Sequence, residues 1–292
     1  MNWYSISLIS AMLSATAAIA QKKVLFKLEA LEFSFYLAIF NLLFSIPFLF
    51  SIQPMDLTAA GLIVLFIKSV IGVLAFWCVM LAIKNLEISG ALPLMALTPA
   101  FVAVFAFIFL GETIKGIEIV GMFLLLAGTY ILEIDKKEKL LVPFKVLFKS
   151  KYYHYIFFAL LLFTASSILD KTLVARMKVT PFAILGIQHF YFFLLFLVIF
   201  VIVYKQPVQT AKKLNINILL WIIFISIVTI GYRYTQIIAI KTAPVALVLS
   251  VKRISVFIAA VAGGKIFKEK NLFVKAMATL IMITGAILIF RD

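Results

Sequence analysis

Long runs of apolar residues, separated by short polar or charged segments, make up almost the whole chain. Each of ten runs is long enough to cross the roughly 30 Å hydrocarbon core of a bilayer as a helix of about 20 residues. They are 3–21, 33–52, 57–82, 88–110, 116–134, 153–170, 181–204, 216–240, 243–264 and 271–290. The runs are continuous and do not alternate, which favours helices over barrel strands. The pattern therefore predicts an all-α, polytopic membrane protein with ten transmembrane helices.

Composition agrees with the pattern and excludes several classes. The chain has 292 residues, 65% hydrophobic and 13% charged, whereas soluble domains are about 45–50% apolar and about 25% charged. A soluble enzyme, a secreted disulfide scaffold and a disordered chain are excluded. The net charge of +15 comes mostly from lysines between the runs, where they indicate topology and contacts with anionic lipid head groups. We expect membrane lipids as partners and no nucleic acid.

The sequence lacks the residue patterns of a catalytic or metal centre. Cys78 is the only cysteine, and the two histidines, His154 and His189, lie in different segments. No glycine-rich phosphate loop and no mid-span pair of carboxylates is present. Catalysis needs acids, bases or metal ligands that converge. We therefore expect no enzyme activity, no metal and no cofactor.

A lysine-rich segment divides the ten runs into five plus five. Residues 136–152 contain six lysines with apolar residues between them. A solvated linker held by lipid contacts is the favoured interpretation, and a segment lying flat on the membrane is the alternative. The predicted units are 1–135, the basic linker 136–152, and 153–292.

The two units are related by an internal repeat. Moving the sequence by 157 positions aligns them without a gap, and the matches include a tripeptide, a glutamate and a glycine at corresponding places. The pairs are Ala82-Ile83-Lys84 with Ala239-Ile240-Lys241, Glu112 with Glu269, and Gly128 with Gly285. A unit with an odd number of spans forces its second copy to enter the membrane from the other side. Inverted repeats of this kind are typical of secondary transporters, whose substrate site lies near the midplane between the halves.

Basic residues inside the runs are the main candidates for a substrate site. Lys252 and Arg253 lie about nine to twelve residues from either end of the ninth run, roughly 14–18 Å along a helix, too far to snorkel. Each central charge costs about 2.5–3.5 kcal/mol on insertion scales. The carboxylates, Asp170 among them, fall at or near predicted span ends. We therefore expect the pair to face a water-filled cavity and to bind substrate. The alternative is a structural pair of charges satisfied by backbone carbonyls and water.

Four further residues are candidates for the same site, each with a structural alternative. Lys68 in the third run either lines the cavity or snorkels to a helix end. Tyr232 and Tyr234 either line the pore or belong to an aromatic belt at the interface. For His189, a structural hydrogen bond to Gln188 or to a backbone carbonyl is favoured over a titrating role.

Short motifs in both units resemble the EamA branch of the drug/metabolite transporter superfamily. In the first unit they are Met80 to Lys84, Ser89-Gly90-Ala91, Thr98-Pro99 and Leu110-Gly111-Glu112. In the second they are Ile238 to Lys241 and Phe267-Lys268-Glu269. The resemblance implies two inverted five-helix repeats around a central cavity. Members of the superfamily carry amino acids, nucleobases, drugs, sugars or phosphorylated metabolites, so the resemblance does not define the cargo.

A narrower resemblance concerns the basic pair. Lys252-Arg253 is similar to the Lys-Arg pair with which plastidic triose-phosphate translocators hold a phosphate, and Tyr232 and Tyr234 are similar to tyrosines of those proteins. Those translocators use a further lysine on the fourth span. The fourth run here has none, and Lys68 on the third is the candidate substitute.

Three hypotheses follow for function. The first is a secondary transporter that moves a small polar, anionic metabolite by alternating access. The second is an exporter of amino acids or of hydrophobic or cationic compounds, and the third is a membrane assembly or lipid-binding subunit that transports nothing. A multi-pass protein of the cell membrane is expected. The positive-inside rule places linker 136–152 in the cytoplasm, whereas the resemblance implies cytoplasmic termini.

Overall fold

A computed structural model describes residues 2–53, 57–85, 98–133, 151–204 and 215–255, together with Met95 and single positions of the last two predicted spans. Within these ranges the chain forms helices and turns and contains no strand. The helices are α1 Trp3–Leu25, α2 Ala30–Phe50, α3 Ala59–Asn85, α4 Thr98–Leu110, α5 Gly116–Glu133, α6 Lys151–Lys171, α7 Pro181–Val203, α8 Ile216–Thr242 and α9 Val245–Lys252. A π-helical turn, Thr172–Arg176, continues α6.

Six of these helices are long and apolar enough to cross a membrane: α1, α2, α3, the continuous segment Tyr152–Arg176, α7 and α8. Helices α4 and α5 are apolar and shorter in the described part. The prediction of an all-α, multi-pass membrane protein is confirmed. The ninth predicted span is described mainly up to Ser255, and most of the tenth lies outside the described residues.

The outer surface of the bundle is apolar. Large side chains such as Phe50, Phe123 and Ile202 are 87%, 68% and 73% exposed. A soluble protein rarely leaves so many neighbouring apolar side chains in water. In a bilayer the same residues face lipid tails.

Helix starts carry the expected capping residues. Thr180 and Asn215 precede α7 and α8, and their side chains accept hydrogen bonds from the backbone N–H groups of Ala183 and Ile218. Glu29 and Glu32 form a reciprocal capping box at the start of α2. These caps satisfy backbone donors that the first helical turn leaves without partners.

Named contacts fix the relative directions of the helices. The Ser10 hydroxyl of α1 donates to the carbonyl of Tyr232, and Lys23 lies 4.2 Å from the ring centroid of Trp221, so α1 is antiparallel to α8. Near its end, α1 meets the end of α3, where the Lys22 amine donates to the carbonyl of Ile83 at 2.6 Å. Helices α1 and α3 are therefore parallel.

Lys68 in the first half of α3 pairs with Asp170 near the end of α6, and Met80 and Ile83 near the end of α3 share a buried cluster with Ile156 and Leu160 near the start of α6. Helix α6 is thus antiparallel to α3 and to α1. We call the side on which α1 and α3 begin and α6 and α8 end the amino-terminal face, and the other side the opposite face.

The contacts between the first four helices and α6–α9 occur in related pairs. Helix α1 packs along α8 just as α6 packs along α3, and α2 packs against α7. Helix α4 packs against α6, and α9 packs against α1. When α1 is exchanged with α6, α2 with α7, α3 with α8 and α4 with α9, the α1–α8 contact becomes the α3–α6 contact and the α4–α6 contact becomes the α1–α9 contact. The contact between α2 and α7 stays the same. The described helices are therefore arranged with an approximate twofold relation.

A tight approach at Gly285 gives a testable prediction. A Cβ atom added there would lie 2.6 Å from the carbonyl oxygen of Gly121 and 2.9 Å from the amide nitrogen of Leu125, both backbone atoms of α5. Overpacking of this kind costs about 1–3 kcal/mol. We expect Gly285→Ala to lower the melting temperature of the purified protein. The matched control is Gly116→Ala, because a Cβ there meets nothing within 4 Å; equal melting of the two variants would contradict the close contact.

Candidate functional site

A cavity of about 230 Å³ lies inside the bundle, between the first four helices and α6–α9. Its walls are residues from the middle of the helices and from their segments toward the opposite face. The polar residues that line it are Ser14, Gln21, Ser34, Asn41, Thr98, Ser166, Ser167, Asp170, Gln188, His189, Thr229, Tyr232, Arg233, Gln236, Lys252, Arg253 and Ser255. Pockets for drug-sized ligands measure about 300–1,000 Å³, so this space fits a smaller molecule.

The two sides of the cavity differ in charge. Residues from α1–α4 that line it are neutral, either small polar groups or apolar side chains. The charged lining residues are Asp170, Arg233, Lys252 and Arg253, all from the second part of the chain. A ligand in the cavity would therefore orient its charged group toward α6, α8 and α9.

Lys252 and Arg253 lie at the end of α9 and line the cavity. The Lys252 amine donates to the side-chain oxygen of Gln236 and lies 4.5 Å from the ring centroid of Tyr232, a cation–π contact. The Nε atom of Arg253 is buried and has no hydrogen-bond partner among the described residues. In the described part of the chain, neither side chain forms an ion pair with a carboxylate. Both cations are thus placed to meet an anionic ligand.

A second polar cluster closes the cavity at the level of Asp170. The Asp170 carboxylate pairs with the Lys68 amine at 3.1 Å and with the Arg233 guanidinium at 3.2 Å. The side-chain oxygen of Gln188 accepts from the same two cations, at 2.7 Å and 3.1 Å. Asp170, Gln188 and Lys68 are buried. The cluster joins α3, α6, α7 and α8 by ion pairs and hydrogen bonds.

Placing Asp170 at a span end was wrong. The helix of α6 continues through the π-helical turn to Arg176, so Asp170 lies about six residues, roughly 9 Å, inside the span. It is the acidic partner of Lys68 and Arg233 that sequence reasoning missed. The apolar residues Leu173 and Val174 directly after it were the available signal, since they extend the hydrophobic run.

Lys68 lies behind the cavity wall. Its side chain is fully buried, and its amine is occupied by Asp170 and Gln188. It does not line the cavity, and it does not snorkel to a helix end.

The two candidate tyrosines separate. Tyr232 lines the cavity under Lys252. Tyr234 stacks on Phe48 and Phe182, with ring centroids 6.3 Å and 5.6 Å away, and is not among the lining residues.

His189 lines the cavity and is 3% exposed, and its Nδ1 atom has no hydrogen-bond partner among the described residues. The expected bond to Gln188 is not what the structure shows for Nδ1, because the Gln188 oxygen accepts from Lys68 and Arg233. A buried ring nitrogen without a partner is available to a ligand in the cavity.

A second ion pair lies nearer the amino-terminal face. Lys171 pairs with Glu112 at 3.1 Å and also donates to the carbonyls of Ile240 and Ala243 at the end of α8. Glu112 accepts from the backbone N–H of Val245, the first residue of α9, at 2.9 Å. A carboxylate at a helix N-terminus is stabilised by the helix dipole.

No group of three or more histidine, cysteine, aspartate or glutamate side chains that could hold a metal ion occurs in the described ranges. The cavity instead offers cations, amides and hydroxyls. These groups suit the binding of a polar ligand by charge and hydrogen bonds.

Membrane-length helices surround an internal cavity that carries polar and charged lining residues, the arrangement of a multi-pass membrane protein. Residues 1–134 match the EamA-like transporter family, so the chain carries an EamA-like transporter unit there, and the resemblance seen in its motifs is confirmed. A solved crystal structure of a protein of unstated identity superposes with a TM-score of 0.75 at 15% identity, covering 98% of this chain and 95% of that one. It shows the same fold. No curated protein matches the chain.

Proposed function

We propose that this protein is a secondary transporter that carries a small anionic metabolite across the membrane by alternating access. The observation that carries the proposal is the charge of the cavity. Arg233, Lys252 and Arg253 line the cavity, Lys68 lies behind its wall, and Asp170 supplies the one negative charge among them. The described residues leave a surplus of three positive charges in a low-dielectric interior, where an unpaired charge is costly. An anionic cargo compensates that surplus.

The helix directions support an inverted repeat. Helices α1 and α6 begin the two units and run in opposite directions, and the approximate twofold packing exchanges one unit with the other. We propose units 1–135 and 153–292, each of five spans, joined by linker 136–152, in the plasma membrane. The cavity between them then opens to either side when one unit rocks against the other.

Aromatic lining gives the second transporter hypothesis some support. Phe76, Phe163, Phe192 and Phe196 also face the cavity, and such rings favour hydrophobic cargo. The surplus of positive charge opposes cationic cargo, because like charges in a desolvated site repel strongly. An exporter of cations is therefore the less favoured function.

The test is binding followed by transport. Only a compound that binds the folded state raises its melting temperature, so a metabolite library sorted by charge identifies the ligand class. Compounds that stabilise the protein are then offered, radiolabelled, to proteoliposomes. We expect the stabilising compounds to be anions and to accumulate faster than in protein-free vesicles. Stabilisation and uptake restricted to cations would overturn the proposal, and binding of lipids without any uptake would favour an assembly or lipid-binding subunit.

A further inference from the structure

The path from the cavity to the amino-terminal face is filled by packed side chains. One buried cluster combines Val102, Ala106 and Met122 from α4 and α5 with residues 239–251 of α8 and α9. Another joins Leu65 of α3 to Leu173 and Ile237 at the ends of α6 and α8. Opening this face requires the first five helices to separate from α6–α9 here.

Two ion pairs cross this closed region, and both start from adjacent residues of α6. Asp170 reaches Lys68 on α3, and Lys171 reaches Glu112 in the turn after α4, each at 3.1 Å. Both partners belong to the first unit, and they carry opposite charges. The two adjacent side chains therefore contact the first unit at two points. Asp170 pairs with a cation there, and Lys171 pairs with a carboxylate.

Both ion pairs are shielded from water. The side chains of Lys68 and Asp170 are 0% and 2% exposed, and those of Lys171 and Glu112 are 14% and 13% exposed. Separating a buried pair without replacing either partner leaves an uncompensated charge, which is strongly unfavourable. Each pair thus favours the closed arrangement of this face.

We propose that Asp170 and Lys171 are the gate residues that close the cavity toward the amino-terminal face. This inference rests on the proposed transport function. Arg233 connects the gate to the cargo, because it lines the cavity and at the same time shares Asp170 and Gln188 with Lys68. An anion that pairs with Arg233 competes with Asp170 for it and removes one of the two ion pairs that hold this carboxylate. Cargo binding thereby loosens the gate.

Access to Ser250 reports the state of the gate. Ser250 is 1% exposed and lies on α9 between Val245, where Glu112 binds, and Lys252 at the cavity. Ser250→Cys is made in a Cys78→Ala background, so that one thiol remains. The protein is placed in nanodiscs, which leave both faces open to a hydrophilic maleimide, and the rate of labelling is measured.

Three gate variants are compared with the parent. Lys171→Met removes the second ion pair, and Glu112→Gln removes its charge while keeping an acceptor for the N–H of Val245. The double variant Lys68→Met/Asp170→Asn removes both charges of the first pair, so the buried Lys68 ammonium is not left without its carboxylate, and Arg233 keeps its hydrogen bond to Gln188. The control is Lys84→Met, whose partner Glu29 lies in the same unit, so its ion pair does not cross the gate.

We expect slow labelling of the parent and of Lys84→Met, and labelling about tenfold faster or more in the gate variants, because weakening buried pairs raises the open population. Labelling at the parental rate in the gate variants, with unchanged melting curves, would overturn the gate. The assay needs no cargo. Fast labelling together with failed anion uptake would therefore refute transport and keep the gate, and anion uptake together with unchanged labelling would do the reverse.

Discussion

Replacing Asp170 by asparagine is expected to lower the free energy of unfolding by about 3–5 kcal/mol, the usual cost of removing one partner of a buried ion pair. The carboxylate forms an ion pair with Lys68 and accepts a hydrogen bond from Arg233, and the Lys68 side chain is fully buried. Without the negative charge, a fully buried ammonium remains next to a guanidinium. Equilibrium unfolding of the purified protein in detergent measures the loss.

A double variant separates charge from packing. Lys68→Met/Asp170→Asn removes both charges at once and keeps similar side-chain volumes, and such replacements are often close to neutral. We expect it to recover most of the stability that Asp170→Asn loses. The surface control is Glu29→Gln, since Glu29 is 58% exposed in its pair with Lys84 and exposed pairs contribute about 0–1 kcal/mol. An Asp170→Asn variant as stable as the control would contradict the buried cluster.

Replacing Lys252 or Arg253 by glutamine is expected to weaken anion binding by about 30- to 5,000-fold, because losing one partner of a buried charged contact costs about 2–5 kcal/mol. Neither cation has a carboxylate partner in the described part of the chain, so the ligand is the group that each would lose. Stability should change little, since glutamine removes a charge that the empty protein leaves uncompensated.

Ligand titrations of melting temperature measure this effect with the best anion from the library. Lys84→Gln is the control, because it removes a lysine outside the cavity. Tyr234→Phe serves as a second control, since Tyr234 packs against both Phe48 and Phe182 and does not line the cavity. Affinity lost equally in the controls and in the Lys252 and Arg253 variants would point to nonspecific charge effects.

The sequence predicted the membrane helices well because apolar length alone sets a transmembrane span. It also predicted that Lys252 and Arg253 lie inside the bundle, since neither can reach water along α9. Both inferences need only distance along one helix. They do not depend on which helices are neighbours.

The ion pair between Asp170 and Lys68 could not be predicted from the sequence alone. The end of α6 was placed at Asp170, so the carboxylate was assigned to the interface and its pairing with Lys68 was missed. The contact joins positions about a hundred residues apart. Only the packing of α3 against α6 brings them together.

The two tyrosines were treated alike although helix geometry separates them. Residues two positions apart point about 200° apart around a helix, so Tyr232 and Tyr234 face opposite directions. Tyr232 contacts Lys252 in the cavity, whereas Tyr234 joins an aromatic stack. This distinction could have been made from the sequence by applying the helical period to the eighth span.

Uptake by the double variant Lys252→Gln/Arg253→Gln is the most direct test of an anion site between two oppositely oriented units. Proteoliposomes containing equal amounts of folded wild-type, double-variant or Lys84→Gln protein receive the radiolabelled anion that most stabilises the wild type. We predict uptake by the wild type and by Lys84→Gln, and uptake by the double variant no faster than in protein-free vesicles. Undiminished uptake by the double variant would contradict the assignment of the cargo site to this pair.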